Sequence, residues 1–139
     1  MPATYENISV RFDYPDGWHI EEETLVDHHA VTVSSPGGGF WSVVVHPPTM
    51  DPGELVTAAM EMMRKEYDNL DAEVATETIA SHALIGYDLN FYCLDLTNTT
   101  HIRSCRTDDA TYLVFYQAED REFETISPVF QAMVTSLLR

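Results

Sequence analysis

The stretch that decides the fold is Phe40-Trp41-Ser42-Val43-Val44-Val45-His46. Its β-branched and aromatic residues predict a strand, because such side chains pack well on a pleated surface. Successive residues of a strand point to opposite faces of the sheet, and this stretch is apolar at both sets of positions. We therefore expect a central strand whose two faces are both covered by other parts of the protein.

A second stretch of the same kind, Leu113-Val114-Phe115-Tyr116, lies closer to the end of the chain. It belongs to a series of predicted strands at 73–79, 84–96, 99–107 and 110–118, whose short connections favour antiparallel pairing. Two amphipathic helices are available to cover the two faces of this sheet. The predicted fold is therefore α+β: a three-layer α/β/α sandwich with a largely antiparallel sheet flanked by two main helices. The length of 139 residues predicts a single domain, 1–139.

The two predicted helices have different signals at their ends. Asp51-Pro52-Gly53-Glu54 supplies an N-cap, a proline in the first turn and a capping-box acid, so we expect a helix from there to about residue 69. The closing helix is expected from about residue 120 to residue 138. Pro128 predicts a bend and a restart within it, because proline lacks the amide hydrogen that a helix interior uses.

The first part of the chain is expected to begin with a hairpin. Residues 8–12 alternate between apolar and polar, Tyr14-Pro15-Asp16-Gly17 is a turn signal, and residues 18–20 form the returning strand. The strand at 8–12 is expected near a wet edge of the sheet. Residues 30–34 predict the next strand, and the glycine-rich residues 35–39 turn the chain into the central strand.

The register of the hairpin between 84–96 and 99–107 stays open. A turn at Thr97-Asn98 places Cys93 opposite Ile102 and the two thiols on opposite faces of the sheet. A loop of residues 98–100 instead places Cys93 opposite Cys105, which would make the thiols adjacent. In either case we expect free thiols, as in a reducing compartment.

The charge of the chain restricts its partners. The sequence has 23 acidic and seven basic residues, which give a formal net charge of −16. This charge disfavours binding to nucleic acid and to anionic membranes. It is typical of simple solubility and also suits attraction to a basic protein partner. No leader-like segment or long apolar stretch is present in the sequence, so we expect a cytoplasmic protein.

The reactive residue types are dispersed along the sequence. His28 and His29 are adjacent and would point to opposite faces of a strand, and the other histidines are isolated: His19, His46, His82 and His101. Metal sites and nucleophile elbows need ligands or partners at defined spacings, which these residues lack. We therefore predict no catalytic residue, no metal site and no cofactor.

Aromatic and arginine side chains are the best candidates for a binding surface, because both are enriched at interface hot spots. A packed core with ion pairs is the alternative role for the same residues. The candidate partner or ligand surface consists of Trp18, Trp41, Tyr92, Arg103, Arg106, Tyr112 and Tyr116.

Two segments resemble the PsbP-like family: Val10-Arg11-Phe12-Asp13-Tyr14-Pro15-Asp16-Gly17-Trp18 and Pro128-Val129-Phe130-Gln131-Ala132-Met133-Val134-Thr135-Ser136-Leu137. That family includes the extrinsic photosystem II protein, a Ran-binding nuclear-transport factor of the Mog type and bacterial domains of unknown function. The resemblance implies an antiparallel sheet between helices and a scaffold used mostly for protein binding. No residue of this chain matches the manganese or calcium roles of the photosynthetic members, or the Ran-binding surface.

Three functional hypotheses follow. The first is a non-catalytic protein-binding or accessory domain with an unidentified and basic protein partner. The second is a small-ligand-binding domain with an aromatic-lined pocket between sheet and helix. The third is an enzyme of unrecognised type, which would need a histidine and a carboxylate within hydrogen-bond reach in a deep pocket.

Overall fold

The computed structural model describes residues 2–7 and 10–139. The described residues form nine strands and two helices. In chain order these are β1 (Pro2–Asn7), β2 (Val10–Pro15), β3 (His19–Thr24), β4 (His29–Ser34), β5 (Phe40–His46), α1 (Pro52–Glu66), β6 (Asp71–Ile79), β7 (His82–Cys93), β8 (Leu96–Arg106), β9 (Thr111–Glu119) and α2 (Asp120–Leu138).

Seven of these strands form one antiparallel sheet in the order β3-β4-β5-β9-β8-β7-β6, and β1 and β2 form a separate two-stranded sheet. Helix α1 packs against β7, β8 and β9, whereas α2 packs against β2, β8 and β9. The strand pair β1–β2 joins α2 in covering its side of the sheet. The predicted three-layer α+β sandwich is thus confirmed, and the strand pair completes one of its outer layers.

The apolar residues of β5 and β9 explain why both faces are covered. Val43 pairs with Val114 and contributes to the core beneath α2, whereas the neighbouring pair of Val44 and Leu113 faces the core beneath α1. Each face therefore has its own hydrophobic core. Burial on both faces is what the doubly apolar sequence of β5 requires.

The predicted first hairpin is wrong. Strand β2 pairs with β1 rather than with β3, so the Tyr14–Gly17 turn joins two different sheets. Val10 and Phe12 are fully buried instead of lying near a wet edge, and Phe12 packs on Trp41 with 4.8 Å between ring centroids. Residues 8 and 9 of the predicted strand lie outside the described residues.

The helix signals have mixed outcomes. The Asp51 carboxylate accepts a hydrogen bond from the Glu54 amide at 3.0 Å, which confirms the N-cap of α1. The helix ends at Glu66, a little earlier than predicted. Helix α2 continues through Pro128 without the predicted restart. Burial of Phe130 and the residues after it on the sheet supports the helix beyond the proline.

Neither predicted register of the β7–β8 hairpin is right. Cys93 pairs with Leu96, so the turn consists of Leu94 and Asp95. Cys93 contributes to the core beneath α1 and Cys105 to the core beneath α2, so the two thiols lie on opposite faces of the sheet. Within residues 2–7 and 10–139, neither helix is long and apolar enough to cross a membrane.

Candidate functional site

The β7–β8 hairpin extends beyond the rest of the main sheet. Its last ladder positions shared with neighbouring strands are Asn90, which pairs with Asp71 of β6, and Asn98, which pairs with Glu119 of β9. Residues 91–97 are therefore paired only within the β7–β8 hairpin among the described strands, with Phe91 opposite Asn98. Such a ribbon is free to present its end to another molecule.

The turn at the end of this ribbon has an unfavourable backbone. Leu94 and Asp95 have φ angles of 52° and 63°, the left-handed conformation at both central positions of a two-residue hairpin turn. Asn-Gly and Asp-Gly are preferred there, because a side chain in this conformation approaches its own backbone too closely. A leucine in this conformation costs about 1–2 kcal/mol.

Three apolar side chains at this turn are exposed to solvent. Tyr92 is 69% exposed, Leu94 92% and Leu96 53%. We call these three residues the apolar tip. Leu96 pairs with Cys93 and shares its face of the ribbon, whereas Tyr92 points to the opposite face, so the turn exposes apolar side chains on both of its faces. The apolar tip therefore combines local strain with unburied hydrophobic surface.

Acidic residues lie in the turn and at the base of the ribbon. Asp95 lies within the turn itself, and Asp71 and Glu119 lie opposite the two asparagines at the base of the ribbon. Asp120 begins α2 directly after Glu119 and accepts a hydrogen bond from the Thr99 hydroxyl at 2.7 Å. These carboxylates reinforce the overall charge of −16 at this end of the molecule.

The structure does not assemble the seven sequence-predicted residues into one surface. Four of them are buried: Trp41, Arg103, Tyr112 and Tyr116. Trp18 is half-buried and contacts the ring of Phe130 edge-on, and Arg106 is exposed and donates to the Met50 carbonyl at 2.8 Å. Tyr92 alone of the seven belongs to the apolar tip. A binding role for these residues stays a prediction, and Tyr92 is the one placed in an exposed apolar group.

Arg103 is the centre of a buried polar network beneath α2. It is 5% exposed and donates hydrogen bonds to Glu77 of β6 and to Asp88 of β7, the latter at 2.7 Å. It also donates to the carbonyls of Tyr87 and Ile102 at 3.2 and 3.0 Å. Because its donors are used internally, Arg103 fastens strands β6, β7 and β8 together rather than presenting a charge to a ligand.

His101 lies beside this network. Its Nε2 is 3.5 Å from the Asp88 carboxylate, and its ring packs against those of Tyr116 and Phe123. Burial lowers its pKa, the Asp88 charge opposes this shift, and the Arg103 charge adds to it. His101 and Asp88 come closest to the histidine and carboxylate that an enzyme of unrecognised type would need. Asp88, however, already accepts a hydrogen bond from Arg103. Neither His101 nor Asp88 lines the cavities described below.

A second histidine, His29, fastens the β1–β2 pair to the main sheet. The Tyr5 hydroxyl donates to Glu22 at 2.6 Å, so His29 Nε2 must donate to the Tyr5 oxygen at 2.8 Å. In the neutral ring, Nδ1 then accepts from the Thr24 hydroxyl at 2.9 Å. Burial and the bond to Glu22 raise the pKa of Tyr5 to about 12. Both ring nitrogens of His29 are thus used in structure.

His28 and His46 are closer than the sequence predicts. Their ring centroids are 5.3 Å apart, whereas the sequence pattern treats His46 as isolated. The β4–β5 ladder ends at the pair His29–Val45, and His28 and His46 are the next residues of the chain on either side of that pair. The register of this ladder is the signal that could have found the pair. Among the described residues, no three histidine, cysteine, aspartate or glutamate side chains converge as a complete metal site.

Three cavities formed by the described residues are large enough for small molecules. The largest of the three, about 890 Å³, lies between the β1–β2 pair and the C-terminal half of α2 and includes Tyr14, Met133 and Ser136 in its lining. Another, about 520 Å³, lies around His28 and His46, and one of about 560 Å³ lies at the first turns of α1. The largest cavity is bounded by the strand pair rather than by the main sheet, and Tyr14 is its one aromatic lining residue.

No protein-family model matches the sequence, and curated proteins give no match. Solved structures do match. Cyanobacterial PsbP (CyanoP) from Synechocystis sp. PCC 6803 is 12% identical, with a TM-score of 0.63 over 97% of this chain and 90% of that one. PA94, a protein of unknown function from Pseudomonas aeruginosa, is 12% identical, with a TM-score of 0.57 over 99% and 96%.

A third match is LpqN, a protein involved in cell envelope biogenesis of Mycobacterium tuberculosis. It is 12% identical, with a TM-score of 0.54 over 96% of this chain and 86% of that one. The three matches confirm the PsbP-like fold. At this identity they concern the fold alone.

Proposed function

We propose that this protein is a non-catalytic accessory domain that binds a basic protein partner through its apolar tip. The observation that carries the proposal is the exposure of Tyr92, Leu94 and Leu96 on a strained turn at the end of a projecting ribbon. Strained backbone conformations reduce stability, and they are concentrated at binding and catalytic sites, where the surrounding structure holds them in place. Aromatic and aliphatic anchors of this kind fill pockets at the centre of protein interfaces.

The turn between β6 and β7 offers a comparison within the same molecule. Ala80 and Ser81 also have positive φ angles, 49° and 70°, so the backbone strain is of the same kind. The Ala80 side chain is only a methyl group and that of Ser81 is polar, so neither is a large apolar side chain. The strain alone is thus not special to the β7–β8 turn, and the proposal depends on its combination with large exposed apolar groups.

The acidic residues in the turn and at the base of the ribbon support a basic partner. Asp95 next to Leu94, and Asp71 at the base of the ribbon, would face basic groups of the partner. Complementary charge at a rim accelerates association and selects the partner, whereas the apolar centre provides most of the affinity. The same charge supports a protein partner over nucleic acid or an anionic membrane. A cytoplasmic location remains part of this proposal.

The test is affinity capture from native lysate with three baits. The wild-type domain is compared with Tyr92→Thr/Leu94→Asn/Leu96→Thr, which keeps residues compatible with the hairpin but removes the apolar tip. A matched control, Met62→Gln/Val74→Thr, removes two exposed apolar side chains elsewhere. We expect a protein that the wild type and the control retain and the tip variant loses. Equal retention by all three baits, or no retained protein, contradicts the proposal.

A second candidate function is binding of a small cationic ligand in the cavity beside α2. Its volume of about 890 Å³ is in the range of ligand pockets, and its lining includes two acidic residues, Asp13 and Asp16, and one basic residue, Arg139. A thermal-shift screen of amines against matched acids tests this function, with Ala132→Trp as a variant that fills the cavity. We expect an amine that raises the melting temperature of the wild type but not of the variant. Absence of any such amine rejects this function.

A further inference from the structure

We propose that His28 and His46 together bind a divalent transition-metal ion. His28 directly precedes β4 and His46 ends β5, each one residue beyond the ladder pair His29–Val45, and their ring centroids are 5.3 Å apart. At this separation one nitrogen of each ring can reach a common ion at about 2.0–2.1 Å.

Asp27 prepares His28 for this role. Its carboxylate lies 2.8 Å from His28 Nδ1 and accepts the proton of that nitrogen. A neutral imidazole with Nδ1 protonated presents the lone pair of Nε2, which is the arrangement that carboxylates impose on metal-binding histidines.

His46 is the last residue of β5 and lines the same cavity as His28. The third histidine at this cavity, His29, is excluded because Tyr5 and Thr24 use both of its nitrogens.

The surroundings leave room for the remaining ligands. The cavity of about 520 Å³ around the pair also includes Asp109 of the β8–β9 turn in its lining. Two imidazoles and water, with negative charge from Asp27 and Asp109 nearby, suit Zn²⁺, Co²⁺, Ni²⁺ or Cu²⁺ better than Ca²⁺ or Mg²⁺, which prefer oxygen ligands. With two imidazole ligands the site keeps open positions, unlike a closed structural zinc site.

This site is independent of the proposed function. His46 pairs with Thr111, which also pairs with Arg106 at the end of β8 remote from Asn98 and the apolar tip. A metal ion at the histidine pair would therefore not contact the apolar tip. A failure to bind metal would leave partner binding by the apolar tip untouched, and the reverse also holds, so each proposal can be rejected without the other.

The test is titration of the purified wild-type protein with Zn²⁺ by calorimetry. We expect saturable binding of one equivalent, weakened on the order of 10-fold or more by His28→Ala and by His46→Ala, and about 10-fold by Asp27→Asn. His82→Ala, which removes a histidine at the β6–β7 turn, is the control and should bind as the wild type does. Absent saturable binding, or equal weakening by His82→Ala, overturns the proposal.

A second readout uses the unaltered protein, so it does not depend on the variants folding. The imidazole resonances of His28 and His46 in NMR spectra should shift together on addition of Zn²⁺ at the same protein-to-metal ratio. Those of His29 and His82 should stay within the noise of the titration. Unmoved resonances of His28 and His46 at saturating Zn²⁺ would overturn the proposal even if some heat of binding were observed.

Discussion

Cys93 pairs directly with Leu96 across the β7–β8 hairpin, which leaves only Leu94 and Asp95 to turn the chain. Both have positive φ, the conformation that Asn and Gly accept with least strain. We expect Leu94→Asn/Asp95→Gly to raise the free energy of unfolding by about 1–2 kcal/mol. Urea denaturation of the variant and the wild type measures the difference.

The control for this prediction is the β6–β7 turn. Ala80→Asn/Ser81→Gly should also stabilise the protein, because both residues have the same left-handed backbone conformation. An increase at this turn with none at Leu94 and Asp95 would show that the apolar tip makes stabilising contacts. The claim of strain there would then be wrong.

Arg103 is expected to be essential for stability rather than for binding. Replacing it with Met keeps much of the side-chain volume but leaves Glu77 and Asp88 without their shared partner. The unpaired carboxylates are partly exposed, so we expect a loss of about 2–3 kcal/mol, somewhat less than for a fully buried pair. Urea denaturation tests this value. An unchanged midpoint would mean that the network contributes nothing to the fold.

The triple variant Glu77→Gln/Asp88→Asn/Arg103→Met refines the test. It neutralises the Glu77 and Asp88 carboxylates together with the loss of the Arg103 cation. The triple variant should therefore recover part of the stability lost by Arg103→Met alone. A further loss instead of a recovery would show that the carboxylates stabilise the fold through contacts other than those with Arg103, such as the contact of Asp88 with His101.

His101 is expected to make the fold sensitive to acid. Its pKa in the folded state is lowered by burial and by Arg103, although Asp88 opposes the shift. The unfolded chain therefore binds the proton more readily, with the ordinary pKa of about 6.5. The stabilisation is fully present above about pH 6.5 and is lost as the pH falls below it, at no more than about 1.4 kcal/mol per pH unit.

The variant His101→Phe separates this effect from those of other groups. Phenylalanine keeps the ring contacts with Tyr116 and Phe123 and removes the buried Nδ1, which has no partner among the described residues. We expect the free energy of unfolding to fall less steeply between pH 6.5 and 5 in the variant than in the wild type. Equal slopes would show that His101 does not titrate differently in the folded and unfolded states.

The two thiols are expected to differ in reactivity. Cys105 is buried, and burial raises its pKa to about 11, whereas Cys93 is partly exposed on the other face of the sheet. A thiol reagent at pH 8 should therefore modify one cysteine in the native protein and two after unfolding. Cys93→Ser should abolish the native reaction. Fast modification of two thiols in the native wild type would contradict the burial of Cys105.

Local chemistry made parts of this fold predictable. The central strand β5 was expected at the bounds it has, because β-branched residues and the flanking glycine and proline turns define it. The N-cap at Asp51 was predictable from four residues for the same reason. The coverage of both faces followed from the apolar residues of β5 and β9. Each of these features depends on neighbours in sequence or on a simple requirement for burial.

The pairing of β2 with β1 was missed because the Tyr14–Gly17 turn signal does not state which strands it joins. The histidine pair depended on a strand register that sequence had not fixed. The β7–β8 turn was misplaced because Thr97-Asn98 has better turn chemistry than Leu94-Asp95. The apolar tip was missed as a group because its turn has a leucine at a position where turns are usually recognised by glycine or asparagine.

The most direct measurement of the central claim is the affinity of the captured partner for matched variants of the domain. Leu94→Asn/Asp95→Gly should bind at least about 10-fold more weakly than the wild type, a loss of about 1.4 kcal/mol, although it is the more stable protein. Ala80→Asn/Ser81→Gly should bind with unchanged affinity. Equal affinity of all three proteins would contradict the assignment of the apolar tip as the binding surface.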